Sequence, residues 1–442
     1  MALPETLVRQ RSAVVYLKAA TTAGTSAGTP VAGDAFALTT VPVIAQAGNY
    51  SDTSEIGSEL ITTKKVLNYM DYSTFDLEFY AKPSASAGSA PVEDNLLNWF
   101  FGAGAASSNP TAYTYSLANK MQTFSIWSRQ FTDQSIQLFH GTGCAPTSWG
   151  LSLAKDGPVT YSMGIQAAKV QYGGTAQISG YAADTPSSGT GRYTIDAPVR
   201  SYGGTPDVLD VAFAGMPINV LDASASYAEM YSQNPTVPST VSSGATLAGI
   251  NQVDGSGNAI LSGTPAAGDL IVPDLPSPSC ATNATIDQQN VAVYLHDKGT
   301  GNALLSNQAS YIFNDNYKLN VTAISVDIDR SLTTPGLTEM TGSAFPPATY
   351  VINEPTITGT MTVLLRPKDF QLMNSLRESP IRSLGCQIGT TAGSIIQFAS
   401  PAVHMEVPTP GEADGATQLD ISFTVVKDAD CDDADKFILR YA

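Results

Sequence analysis

The chain predicts an all-β fold: two tandem β-sandwich domains, each with one flanking α-helix, and a β-rich insertion between them. Three observations carry this. Strict apolar–polar alternation recurs in both halves of the 442 residues. Short runs of Val, Ile, Thr, Tyr and Phe are punctuated throughout by Gly, Pro, Ser and Asn. Helical periodicity is confined to two short stretches.

The alternation is clearest at Thr74-Phe75-Asp76-Leu77-Glu78-Phe79-Tyr80, at Ala323-Ile324-Ser325-Val326-Asp327-Ile328-Asp329 and at Leu419-Asp420-Ile421-Ser422-Phe423-Thr424-Val425. Side chains on a strand alternate faces, so each stretch has one apolar face and one polar face. The first helix is expected over Val92–Phe101. Pro91 leads it, Glu93 and Asp94 make its first turn acidic, Leu96, Trp99 and Phe100 share a side, and Gly102 closes it. The second follows Pro367 over Lys368–Leu376, with Phe370 and Met373, and Leu372 and Leu376, at helical spacing.

The order of elements repeats. Val15-Tyr16-Leu17 returns as Val293-Tyr294-Leu295, and Phe36-Ala37-Leu38 aligns with Tyr317-Lys318-Leu319. A strand running into proline follows in each half, Phe79–Pro83 and Val363–Pro367, and then a helix. Each half closes on a hairpin, Pro146–Lys169 and Pro401–Lys427. A slow drift in spacing is what small loop insertions in a duplicated domain produce. The expected parts are residues 1–173, 174–285 and 286–442. The middle part has no lysine and is rich in Ser, Gly, Thr, Pro and Ala. It reads as a partly ordered β insertion with long linkers.

Charge narrows the function. Lys and Arg number 22 against 39 Asp and Glu, a net charge of -17. A nucleic-acid binder neutralises phosphates with cations, and this chain repels them instead. Hydrophobic residues are 43%, enough for cores, while charged residues are 14% against a usual ~25%. No apolar span reaches transmembrane length, and the first eighteen residues show no secretory signal.

Motifs for chemistry are scarce. Cys144, Cys280, Cys386 and Cys431 are dispersed and read as reduced thiols. His140, His296 and His404 form no catalytic pair, and Gly141-Thr142-Gly143-Cys144 reads as a buried thiol rather than a nucleophile. The acidic run Asp428–Asp435 has Asp433 and Leu439 where a calcium loop needs Gly and Glu, so it reads as a solvated turn. No catalytic residue, cofactor or metal is expected. A carbohydrate-active enzyme needs only two facing carboxylates, but three tryptophans are few for a sugar cleft.

The closing segment Leu419–Asp430 followed by Asp435-Lys436-Phe437-Ile438-Leu439 is a strand, a Lys-Asp step, an acidic turn and a final strand. With Gly141–Leu153, Gly157–Gly164 and one helix per β domain, it resembles the major tail tube proteins of long-tailed bacteriophages. The resemblance covers roughly 1–172 and 287–442, and the middle part has no counterpart. It implies a virion protein without enzymatic activity, made and assembled in the host bacterial cytoplasm. Three duplicated chains would form a homotrimeric, pseudo-hexameric ring. Rings would stack into an acidic tube through which DNA is ejected unbound. Tape-measure, tail terminator and distal tail proteins would be partners, with no membrane. Asp76, Glu78, Asp327, Asp329 and Asp420 are the expected lumen lining. The polar segments Asn49–Leu67 and Arg330–Ile352 are too long for hairpin turns and are expected to be stacking loops. Asp52, Thr53, Glu55, Glu59, Lys64, Lys65, Thr338 and Glu339 are their candidate contacts. A tail fibre or adhesin is the other structural reading.

Overall fold

A computed structural model describes residues 13–427 and 436–442, except 23–25, 58–59, 103, 109–110, 119–120, 132–135, 155–156, 184–189, 197–209, 226, 239–240, 243–245, 255, 257–258, 287–290, 298–317, 334–344, 347–349, 367–369, 379–380 and 414. Among the described residues the architecture is all-β with two α-helices, neither of them long and apolar enough to cross a membrane.

The first part holds β1 (Ala13–Ala19), β2 (Ala35–Phe36), β3 (Gly48–Gly57), β4 (Leu60–Met70), β5 (Ser73–Tyr80), helix α1 (Asp94–Phe101), β6 (Ala105–Ser108), β7 (Thr111–Ser116), β8 (Phe124–Phe131), β9 (Ile136–Ala154) and β10 (Thr160–Gly174). The middle part holds β11 (Ala176–Ala183), β12 (Thr190–Asp196), β13 (Asp210–Ala212), β14 (Ile218–Asp222), β15 (Ala228–Glu229), β16 (Val241–Ser242), β17 (Thr246–Asn251) and β18 (Leu270–Pro273). The last part holds β19 (Val291–Asp297), β20 (Lys318–Leu319), β21 (Val321–Asp329), β22 (Thr356–Leu364), helix α2 (Phe370–Glu378), β23 (Ile381–Ile388), β24 (Ile396–Met405), β25 (Thr409–Ala413), β26 (Ala416–Val425) and β27 (Ile438–Tyr441).

The first and last parts pair their strands in the same order. In the first, β1 pairs with β2 and β8, β8 with β9, β9 with β10, and β10 with β5. In the last, β19 pairs with β20 and β23, β23 with β24, β24 with β26, and β26 with β22. A helix follows β5 in one and β22 in the other. One alignment needs correction: Val15 faces Phe36 and Val293 faces Leu319, so Leu319 corresponds to Phe36 rather than to Leu38. The strands around Phe36 and Leu319 are two residues long, too short for alternation to fix their register.

The two parts are not separate bodies. β9 pairs with β21, and β27 pairs with β7, so seventeen strands form one hydrogen-bonded network. Their apolar faces bury one shared core. Phe437 stacks 6.2 Å from Phe101 of α1 and 5.8 Å from Phe398 of β24, bringing aromatics of both parts together. Helix α1 is shorter than expected and begins at Asp94. Five of its eight residues are buried, so its apolar side packs on the core while Asn95 stays exposed. On α2, Leu376 is buried and Leu372 is half-buried against the core.

The middle part contributes strands of its own among its described residues. It forms a six-stranded antiparallel sheet in the order β15-β14-β18-β11-β12-β17. Its second core includes Trp127 and Leu138 from the first part. The return segment is bonded in place, with Asn283 donating to Pro83 O at 2.8 Å and Ser279 N–H donating to Ala32 O at 3.0 Å.

Gly359 of β22 makes a close approach. A Cβ there would stand 2.3 Å from the Phe423 ring and 2.4 Å from Ser325 O. Gly359→Ala is expected to lower the urea midpoint by an amount equivalent to about 1–3 kcal/mol, the usual range for overpacking. A midpoint unchanged from wild type would contradict this packing.

Candidate functional site

The most extended feature is a polar face running across both parts. Strand pairing gives the order β5-β10-β9-β21-β22-β26, six antiparallel strands with the seam between β9 and β21. Residues directly opposite one another share a face, so register defines rows across the sheet. One row reads Glu78, Ser162, Gly150, Asp327, Thr358, Thr424. The next reads Asp76, Gly164, Ser148, Asp329, Thr356. Toward the other end, Ser152, Ser325, Thr360 and Ser422 align, and Thr362 stands opposite Asp420. None of these rows contains Lys or Arg.

Asp76, Glu78, Asp327, Asp329 and Asp420 are therefore on one face of one sheet, and all five are exposed. Their strand neighbours Phe75, Leu77, Phe79, Val326, Ile328, Ile421 and Phe423 are buried in the shared core. The acids are separated by small residues. A Cβ on Gly150 would lie 2.8 Å from an Asp327 carboxylate oxygen, and on Gly164 it would lie 3.5 Å from one of Asp76. These glycines leave room for the carboxylates. Thr362 donates to Asp420 at 2.8 Å, and Asp329 accepts from Ser331 N–H at 2.7 Å. Partial burial holds the Asp327 carboxyl above its ordinary range.

The first candidate stacking loop is a strand pair instead. β3 and β4 form a two-stranded sheet of their own, with Asp52 opposite Lys65, Thr53 opposite Lys64 and Glu55 opposite Thr62. Length alone suggests a loop, but long strands can form a hairpin with a very short turn. Glu59, Thr338 and Glu339 lie outside the described residues. The second segment also differs at its start: Arg330 is buried at 1% exposure rather than at the surface.

The other sequence candidates have structural places. Cys144 is buried, and burial pushes its thiol pKa up. His140 is buried between Trp127, 3.5 Å away ring to ring, and Phe213 at 5.4 Å. Desolvation lowers its pKa to about 3, which keeps the ring neutral. His404 is exposed on β24, His296 lies on β19, and the acidic run 428–435 lies outside the described residues.

A buried polar cluster at the seam has no sequence signal. Glu93, 1% exposed just before α1, accepts a hydrogen bond from the Tyr441 hydroxyl at 2.7 Å and from Lys82 N–H at 3.1 Å. The Tyr441 hydroxyl is also 2.7 Å from that of Tyr161. Glu93 and Tyr441 lie 348 residues apart in sequence, so no local spacing could join them. No protein-family model matches the chain, and no curated protein matches it.

Proposed function

We propose that the chain is a structural protein of a long-tailed phage, polymerising into the tail tube as stacked three-chain rings. The observation that supports this is the continuous polar face: six strands from both parts carrying five exposed acids and no cation in the rows between them. Among the described strands β5 pairs with β10 alone and β25 with β26 alone, while β26 also runs on into β24 beyond β25. An open edge is a template for further pairing. Joining β5 of one copy to β25 of the next is a heterologous contact, and three such contacts close a ring. Closed barrels of roughly 16–18 strands already leave an aqueous channel, and three copies of these six strands joined through β25 exceed that size. With the polar face inward, the channel wall is acidic and hydroxyl-rich. DNA phosphates find no cation to displace their counterions there and pass without binding.

Electron microscopy of the purified chain tests this directly, with stacked rings around a central hole as the expected result. Monomers, or activity on a polysaccharide, would overturn it. The β3–β4 hairpin is the proposed contact between rings. Deleting Thr53–Thr62 leaves Asp52 and Lys65 able to pair across a two-residue connection of Thr63 and Lys64, so the base of the hairpin survives. The expected product is a soluble, folded ring that no longer forms tubes in sedimentation. Tubes of normal length from this deletion would remove the hairpin from stacking.

A further inference from the structure

Arg330 is a buried charge that neither the shared core nor the polar face uses. It follows Asp329 at the end of β21, where its backbone N–H donates to Thr147 O at 2.9 Å. Alternation turns its side chain away from the acids and toward the interior. The guanidinium lies over the Phe100 ring of α1, 4.9 Å from the centroid. Its Nε and Nη1 are buried and have no hydrogen-bond partner. A cation–π contact offsets only part of the hydration that a buried cation loses.

The side chain lines a cavity of 410 Å³, together with Lys436, Glu354, Asn353 and Leu117. Lys436 is paired with Glu354 at 2.5 Å, and the Glu354 side chain is 73% exposed. These three charged linings sum to one positive charge, in a chain whose net charge is -17. Burial alone lowers the Arg330 pKa to about 10, and the group stays charged at neutral pH.

We propose that this cavity is an oxyanion socket, in which Arg330, assisted by Lys436, binds a single carboxylate or phosphate group. A planar guanidinium with free N–H groups matches such a group by paired hydrogen bonds. The chemistry has two sources: an acidic side chain of a second copy, or a free anion. Acidic residues number 39 against 22 basic ones, so a second copy offers carboxylates in excess. The second-copy source rests on the assembly proposed above; the socket itself does not.

The test compares wild type with Arg330→Met, which keeps length and apolar contact but removes the charge. Thermal melts are run in sodium phosphate and in sodium chloride at equal ionic strength. Phosphate stabilises proteins generally by exclusion from their surface, and that part is common to both chains. Wild type is expected to gain a further, saturable rise of a few degrees that Arg330→Met lacks. In chloride, Arg330→Met is expected to melt at or above wild type, because an unpaired buried cation has been removed. Equal phosphate responses in the two chains would overturn the socket. So would a chloride melt of Arg330→Met below wild type, since the guanidinium would then already be satisfied. Sedimentation separates the sources: loss of assembly in phosphate and in Arg330→Met assigns the socket to a second copy. Unchanged assembly with the phosphate-specific rise assigns it to a free anion. A chain that never assembles still reports on the socket through the melts.

Discussion

On the proposed tube assembly, particles carrying Lys in place of Asp76, Glu78, Asp327 and Asp329 are expected to assemble normally and to eject DNA slowly. Assembly should survive because all four side chains are exposed and no core contact is lost. Mutual repulsion is already present among the acids, and reversing every sign leaves its size similar. DNA passage should change because phosphates would now find cations and release counterions. Ejection at low salt is expected to slow by about tenfold or more. Each phosphate engaged adds nearly one to the slope of log affinity against log salt, so raising salt should restore the rate steeply. Unchanged ejection at low salt would place these four acids away from the channel. The Asp420 position, opposite Thr362 on the same face, offers a milder single test of the same kind.

Glu93→Gln is expected to abolish a fall in stability with rising pH. Burial raises the Glu93 carboxyl to about 8, against the pull of the Tyr441 and Lys82 N–H hydrogen bonds and of the Lys82 charge. Unfolded, a Glu titrates near ~4.3. The folded chain therefore binds more protons than the unfolded chain between these values, and stability falls as pH rises through that window. The stabilisation is complete below the unfolded value and lost by the folded one. At ~1.4 kcal/mol per unit, the whole window is worth on the order of 3–5 kcal/mol. Tyr441 and Tyr161, both raised well above the ordinary phenol range, stay neutral throughout, and Tyr115, bonded to Asp94, is raised too. Glu93→Gln should match wild type near pH 5 and exceed it at pH 9. Parallel urea midpoints for the two chains from pH 5 to 9 would show that Glu93 does not carry the effect. Because Glu93 and Tyr441 bridge the two parts of the chain, the loss should appear as one cooperative unfolding transition.

Alternation alone was enough to identify the strands that matter and the face each residue takes. Phe75, Leu77 and Phe79 had to be buried together, and Asp76 and Glu78 had to be exposed together, because successive side chains of a strand point opposite ways. The same local rule placed Asp327, Asp329 and Asp420. It also located both helices to within about two residues, since proline, glycine and apolar spacing act over a single turn.

The pairing of β9 with β21 needed the tertiary structure. Backbone hydrogen bonds join any two strands of compatible length, and no side-chain pattern marks which edge meets which. For that reason five acids read as scattered over two domains became rows on one sheet. The hairpin of β3 and β4 was hidden by the same limit, because polar residues suit a strand pair as well as a loop. Arg330 reads as the start of a polar stacking segment and Glu93 only as an acid of a helical first turn, and nothing local marks either for burial, since charged residues are seldom fully buried. Their burial is decided by what packs over them: Tyr441 and Tyr161 over Glu93, and Phe100 beneath Arg330.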